Sequence, residues 1–111
     1  MSRRNPIGSL DLIAMSALIR LGDDAYGVSI SHEIKKTTGS EIAFGTIYAV
    51  LQRLEREGLV KSSLGEATPE RGGRAKRYFR ITAKGLKEVK RMRRALGKLW
   101  QGVPQLAGEK V

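Results

Sequence analysis

The residues of this chain that could do chemistry are its lysines and arginines, which crowd into one segment. Twelve of the 21 basic residues, but only one of the 11 acidic residues, lie between Arg71 and Lys98. The whole chain carries a formal net charge of +10, so this block supplies all of its excess positive charge. Such a block suits the phosphate backbone of a nucleic acid, because protein binding to phosphates is largely electrostatic. The alternative is a solvated helix face that only aids solubility.

No combination of side chains in this sequence indicates a catalytic or metal site. The chain has no cysteine and a single histidine, His32, which excludes a disulfide framework, a thiol nucleophile and a cysteine- or histidine-rich metal site. No serine has a plausible general base other than His32, which we interpret as a half-exposed helix residue. No glycine-rich loop precedes a Lys-Ser or Lys-Thr pair of the kind that cradles phosphates. We therefore expect a binding protein that is not an enzyme and requires no cofactor or metal.

The basic block follows three predicted helices, which must position whatever surface binds the ligand. Apolar residues at helical spacing place these helices at about 9–21, 26–38 and 45–57. The third helix directs one apolar stripe toward the core, formed by Ile47, Val50, Leu51 and Leu54. Gly58 is suited to end this helix, because glycine readily adopts a left-handed backbone conformation. The other side of the third helix is free to face a ligand.

A short hairpin is predicted directly after the third helix. Residues 59–64 and 77–82 are predicted to form two strands, and residues 65–75 the polar loop between them. The loop contains Gly72-Gly73, which lets its tip turn sharply beside several basic residues. A helix followed by a basic hairpin indicates a winged helix-turn-helix, a fold that is mainly α with a small β-hairpin (α+β). This arrangement favours duplex DNA as the ligand over a merely solubilising role for the charge.

The outer face of the third helix carries the side chains expected to meet the major groove. Thr46 and Ala49 are small enough to let the helix backbone approach the DNA. The hydroxyls of Thr46 and Tyr48 can contact phosphates, and Gln52 and Arg53 can reach base edges or phosphates. For Tyr48 the alternative is an aromatic ring packed beneath the hairpin.

The hairpin tip supplies the second set of predicted DNA contacts. Gly73 lets the chain come close to the sugar-phosphate backbone, while Arg71, Arg74 and Lys76 provide positive charge. A plain solvent-exposed hairpin would have little need for such a density of basic residues. We therefore predict that these four residues belong to a wing that contacts the DNA backbone.

A fourth helix is predicted from about residue 83 to about residue 102. Thr82 can cap its start, and Pro104 follows its end. Spacings of three and four residues form a narrow apolar seam of the kind that pairs helices, at Leu86, Val89, Leu96, Trp100 and Val103. We expect this seam to form a dimer interface. The alternative is that the helix packs back on the first helix of its own chain.

The chain is therefore expected to divide into a DNA-binding domain, a dimerisation helix and a tail. The domain comprises residues 1–82, the dimerisation helix residues 83–103, and the tail residues 104–111. We also expect a cytoplasmic protein, because residues 1–20 lack the pattern of a signal peptide and no apolar run is long enough to span a bilayer.

Taken together, these features resemble the PadR family of transcriptional regulators. The resemblance covers about residues 9–100 and is carried by residues 25–28, 45–48, 51–60, 73–74 and 76–82. It implies a homodimeric winged helix-turn-helix repressor that binds a palindromic operator in double-stranded DNA. The single C-terminal helix is similar to that of the short members of the family, its second subfamily.

The resemblance also implies a small-molecule effector that releases the repressor. Some short members are similar to multidrug sensors, in which tryptophans of the C-terminal helix stack on flat aromatic ligands at the dimer centre. An effector site for a planar aromatic molecule is therefore implied at Leu96 and Trp100. In those sensors the tryptophan occupies the position of Leu96, about one helical turn before Trp100. The alternative is that Trp100 is a buried anchor of the dimer interface.

Two other functions are compatible with a basic winged helix. One is a protein-interaction module without direct operator binding, which would have no need of a strongly basic block. The other is RNA binding, but a helix with a wing fits the wide major groove of B-DNA better than the deep, narrow groove of A-form RNA. Mobility shifts with competitor DNA and RNA would separate the three functions.

Overall fold

The computed structural model describes residues 8–65 and 75–108. Within these residues the elements follow the order α1 (Ser9–Leu21), α2 (Gly27–Thr38), α3 (Phe44–Arg56), β1 (Val60–Leu64), β2 (Arg77–Ile81) and α4 (Ala83–Trp100). Short 3-10 turns at Gly22–Asp24 and Pro104–Leu106 follow α1 and α4. The expected mainly α fold with a small hairpin is therefore confirmed. No helix in the described part of the chain is long and apolar enough to cross a membrane.

The hydrophobic core lies between the first three helices and the inner face of the hairpin. Its largest fully buried side chains come from all of these elements: Met15, Leu18, Ile30, Leu51, Leu54, Leu59, Val60 and Phe79. The apolar stripe predicted on α3 is confirmed, since Ile47, Leu51 and Leu54 are buried and Val50 packs partly buried against the same core. Burial of each such side chain contributes about 1.5–3 kcal/mol. This packing stabilises α3 more than the intrinsic helix propensity of its residues does.

The hairpin is tied to the helices as well as to itself. β1 and β2 pair antiparallel, with Val60 opposite Ile81 and Leu64 opposite Arg77. On its other edge β2 pairs with the segment between α1 and α2, where the N–H of Phe79 donates to the carbonyl of Ala25 at 2.8 Å. These bonds fix the base of the hairpin against the helical body.

α4 is anchored at its N-terminal end and projects at its C-terminal end. Thr82 caps the helix as predicted, and its side chain accepts a hydrogen bond from the N–H of Gly85 at 3.0 Å. Gly85 is buried, and a methyl group in its place would overlap the carbonyl oxygen of Leu59. Beyond Val89 no described residue is buried. The radius of gyration is 15.9 Å, compared with about 13 Å for a compact domain of 100 residues.

α4 ends earlier than the sequence predicted. Its last helical residue is Trp100, and Gly102 adopts a positive φ of 76° that turns the chain away from the helix. Pro104 lacks an N–H group and cannot continue helical hydrogen bonding. Val103 was predicted to lie on the helical seam, but it follows the helix, where its N–H donates to the carbonyl of Trp100 at 3.3 Å.

Candidate nucleic-acid interface

The exposed side of α3 is formed by small and polar side chains. Thr46, Ala49 and Gln52 are all exposed, and they lie opposite the buried stripe of the helix. Gln52 can both donate and accept hydrogen bonds, which suits a base edge. Arg56 is also exposed on this side. It was not among the predicted contacts, although its spacing of two helical turns from Ala49 could have indicated it.

Tyr48 is half-buried, and its ring belongs to the packing beneath the hairpin. The ring meets Phe79 of β2 edge-on at a centroid distance of 5.9 Å, and it lies tilted against Phe44 at 5.9 Å. The alternative of a packed aromatic residue therefore describes this ring. A phosphate contact by the Tyr48 hydroxyl stays a prediction.

Arg53 is engaged by acidic side chains of the same chain. Its guanidinium forms an ion pair with the buried carboxylate of Asp11 in α1 and another with Glu57 at 3.4 Å. The hydrogen bond with Asp11, aided by the charges of Asp11 and Glu57, raises the pKa of Arg53 above its ordinary value. Charged residues are rarely buried unless they are paired, and Arg53 supplies the ion-pair partner of the buried Asp11. The pair links α1 to α3. The Arg53 side chain is 41% exposed, and its contact with DNA stays a prediction.

Among the predicted wing residues, Lys76 lies within the described part of the chain. Its ammonium group lies 3.6 Å from the centroid of the Tyr26 ring and 6.0 Å from that of Tyr78. This cation–π arrangement holds the half-buried lysine over the two tyrosines beside the hairpin. Arg71, Gly73 and Arg74 lie outside the described residues, and their DNA contacts stay predictions.

Further basic side chains on the hairpin extend the positive surface. Lys61 of β1 and Arg77 and Arg80 of β2 are exposed. Arg80 forms an ion pair with Asp23 in the turn after α1, and Arg77 donates to the hydroxyl of Ser62 at 3.0 Å. Both interactions lie in solvent, where ion pairs and hydrogen bonds are weak. These arginines can therefore exchange their present partners for phosphates at little cost.

The predicted seam of α4 divides into two parts. Leu86 and Val89 are half-buried, and Val89 packs against the core of its own chain. α4 also contacts α1 of the same chain, as the alternative predicted. Farther along, Leu96 is half-buried, while Trp100 is 43% exposed and Leu99 is 72% exposed. Leu99 was not predicted to lie on the seam because the alternating spacing of three and four residues selects its neighbour Trp100. Dimerisation through this second part stays a prediction.

Comparison with known proteins agrees with this arrangement of elements. The model of the transcriptional regulator PadR-like family matches residues 17–91. Uncharacterized protein X of Lysinibacillus sphaericus is 38% identical over 80 residues, which cover 70% of this chain and 69% of that protein. The solved structure of a transcriptional regulator from Clostridium thermocellum superposes with a TM-score of 0.70 over 90% of each chain, at 33% sequence identity.

The fold is also shared with a more distant protein. F93 from STIV, a winged-helix DNA-binding protein, superposes with a TM-score of 0.65 over 82% of this chain and 90% of that chain, at 19% identity. This likeness concerns the fold, and it agrees with α3 as the second helix of a helix-turn-helix and β1–β2 as the wing. The matched family consists of transcriptional regulators, not of enzymes. Because the family model spans more than half of the sequence, the chain belongs to the PadR-like family of transcriptional regulators.

Proposed function

We propose that this chain is a cytoplasmic, homodimeric repressor that binds a palindromic operator in duplex DNA. The observation that carries the proposal is the exposed face of α3, where Thr46, Ala49 and Gln52 stand on a helix held by the core. A firmly mounted helix with small and polar side chains on its outer face fits the major groove of B-DNA. The exposed basic residues of the adjacent hairpin favour DNA over a protein partner.

The residues of α3 have separate roles in this proposal. Gln52 reads a base edge, and adenine is the base whose N6 and N7 best match an amide. Thr46 and Ala49 let the helix approach the bases, and the hydroxyls of Thr46 and Tyr48 contact phosphates. Arg53 contacts a base edge or a phosphate, and it also positions the helix, because Asp11 engages its guanidinium and so fixes α3 relative to α1.

The wing supplies the charge that attracts the DNA backbone. Arg71, Arg74 and Lys76 contact phosphates, and Gly73 lets the tip approach them closely. Each phosphate contact releases condensed counterions, so the affinity for DNA is expected to fall steeply as salt is added.

Dimerisation through the second half of α4 would present two copies of α3 to successive major grooves. Helix-turn-helix dimers place their reading helices about 34 Å apart, one turn of DNA, and their operators are palindromic because the dimer has twofold symmetry. The exposed apolar side chains of Leu99 and Trp100 at the end of a projecting helix support this proposal. Grouped apolar side chains on a surface mark an interaction site.

We further propose that a planar aromatic effector binds at Leu96 and Trp100 and releases the repressor. The indole of Trp100 is 43% exposed, which leaves a face on which a flat guest can stack. The chain has one tryptophan, so fluorescence during titration with planar aromatic compounds reports on this residue. Saturable quenching with a parallel decrease in DNA affinity would support the proposal. Quenching without any change in DNA affinity would contradict a switch.

Operator binding is tested by selecting ligands for the full chain from a randomised duplex library, followed by mobility shifts at several salt concentrations. We expect one palindromic sequence to be enriched. Arg74→Ala and Lys76→Ala should each weaken binding to all sequences and reduce the salt slope by about one, because each variant leaves one phosphate without its basic partner. Gln52→Ala should instead relax the preference for particular bases.

Lys35→Ala is a matched control for the wing variants. It removes an exposed lysine from the last turn of α2, where its ammonium group lies 3.4 Å from Glu41. Both affinity and salt slope should be unchanged in this variant. If no duplex is enriched over competitor RNA and unrelated DNA, operator binding is wrong and a protein-interaction module becomes the better explanation.

A further inference from the structure

An exposed phenylalanine begins the helix that faces the proposed operator. Phe44 is the first residue of α3, one position earlier than the sequence predicted, and it is 52% exposed. Covering an exposed aromatic ring with an apolar ligand group is favourable, because it removes the apolar surface of the ring from water. The N-terminal residues of the second helix in a helix-turn-helix are those that meet base edges. Phe44 therefore stands where contact with bases is expected.

The ring of Phe44 is held in place by its neighbours. Gly27, the first residue of α2, leaves room for it, because a methyl group at that position would overlap ring carbons Cε1 and Cζ. The ring lies tilted against Tyr48 at a centroid distance of 5.9 Å, and Tyr48 in turn meets Phe79 edge-on. This series of aromatic contacts connects the exposed ring to the core and fixes its position.

Small or apolar side chains occupy the exposed positions at the starts of α2 and α3. Val28, which follows Gly27, is 70% exposed. The exposed positions in the next turn and a half of α3 are occupied by Gly45, Thr46 and Ala49. Gln52 is the first exposed side chain of α3 that carries an amide or a guanidinium, and it lies two turns after Phe44. The beginning of α3 thus matches an apolar feature of DNA better than the acceptor groups of guanine.

We infer that the ring of Phe44 contacts the C5-methyl group of a thymine in each half-site and so selects thymine there. The inference rests on the proposed operator binding and adds the chemistry that determines one base position. Among the four bases, thymine alone exposes a methyl group in the major groove, and phenylalanine is a suitable partner for it. The exposed basic residues Lys61 and Arg77 on the adjacent hairpin match phosphates, which favours DNA over a protein or a lipid as the occupant of this surface.

Replacement of thymine by deoxyuridine tests the inference, because it removes the methyl group and nothing else. Each thymine of the selected operator is replaced in both half-sites, and the affinity of the full-length protein is measured at constant salt. We expect one position per half-site at which binding weakens, about fourfold for each methyl group removed. In Phe44→Ala the thymine and deoxyuridine operators should bind equally at that position, while the salt dependence remains that of the wild type.

Two variants control for general effects of the substitution. Phe44→Leu keeps an apolar side chain and should retain part of the thymine preference, even if Phe44→Ala folds poorly. Leu106→Ala removes an apolar side chain that is 41% exposed in the C-terminal turn, and it should leave the preference unchanged.

Three outcomes would overturn the inference. The first is equal wild-type affinity for thymine and deoxyuridine at every position. The second is a Phe44→Ala protein that binds both operators more weakly but keeps their affinity ratio, which would indicate packing against the sugar-phosphate backbone. The third is that no operator is enriched at all, in which case the proposed function fails and the inference fails with it. The first two outcomes require a selected operator, so they contradict the inference while operator binding itself stands.

Discussion

The carboxylate of Asp11 lies in α1 and helps to direct α3. Asp11 is 7% exposed, and its carboxylate binds Arg53 of α3 and accepts a hydrogen bond from the N–H of Gly8 at 3.3 Å. A carboxylate removed from water loses its hydration, and these partners replace part of that lost hydration. One acidic side chain away from the exposed face of α3 thus contributes to the angle at which that face is presented.

Asp11→Ala should destabilise the fold and weaken operator binding together. The Arg53 side chain is 41% exposed, so water can replace part of the missing interaction, and we expect the free energy of unfolding to fall by about 1–2 kcal/mol. Glu57→Gln removes the more exposed partner of Arg53 and should cost less than about 0.5 kcal/mol. Urea unfolding of the two variants measures the difference. Equal destabilisation by both substitutions would mean that the Asp11 pair has no special part in holding α3.

At the scale of elements, α3 and the hairpin could be predicted from sequence, whereas some of their contacts could not. The stripe of α3 and the Thr82 cap arise from residues within a turn or two of each other, so local spacing is sufficient. Asp11 is 42 positions from Arg53, and the space for the Phe44 ring is provided by Gly27 in another helix, so no local pattern indicates either contact. The end of α4 was misplaced because an apolar Val103 continues the helical spacing beyond the actual turn.

Two glycines of α4 should respond in opposite ways to substitution by alanine. At Gly85 a methyl group would overlap the backbone of Leu59, so Gly85→Ala should displace α4 and reduce the free energy of unfolding by about 2–3 kcal/mol. At Gly97 a methyl group meets nothing within 4 Å, and Gly97→Ala should stabilise the protein by up to about 1 kcal/mol. Thermal unfolding of both variants is the measurement. Stabilisation by both substitutions would contradict the close approach of α4 to Leu59.

The whole molecule consists of a packed body with α4 extending from it. No described residue after Val89 is buried, yet the end of α4 carries the large apolar side chains of Leu99 and Trp100. Two copies of the same helix can bury such side chains against each other around a twofold axis. The shape of one chain therefore favours association with a second.

The full-length protein should be a dimer with a mass near twice 12.2 kDa in light scattering. Leu99→Glu places a charge among the apolar side chains at the end of α4, and the dimer should dissociate because that charge would have to be buried. Gln101→Glu adds the same charge at a neighbouring exposed position and should leave the dimer intact. A wild-type monomer at high micromolar concentration, or an unchanged mass for Leu99→Glu, would refute dimerisation through this part of the helix.

The attachment of α4 at Gly85 makes the helix a lever. At 1.5 Å per residue, the stretch from Gly85 to Trp100 is about 22 Å long, so a tilt of about 10° at the attachment moves the far end by about 4 Å. The attachment rests on the carbonyl of Leu59, at the start of the hairpin. A displacement of about 4 Å at Trp100 therefore corresponds to a tilt of about 10° at the attachment beside the hairpin, and a small tilt at the attachment is magnified at Trp100.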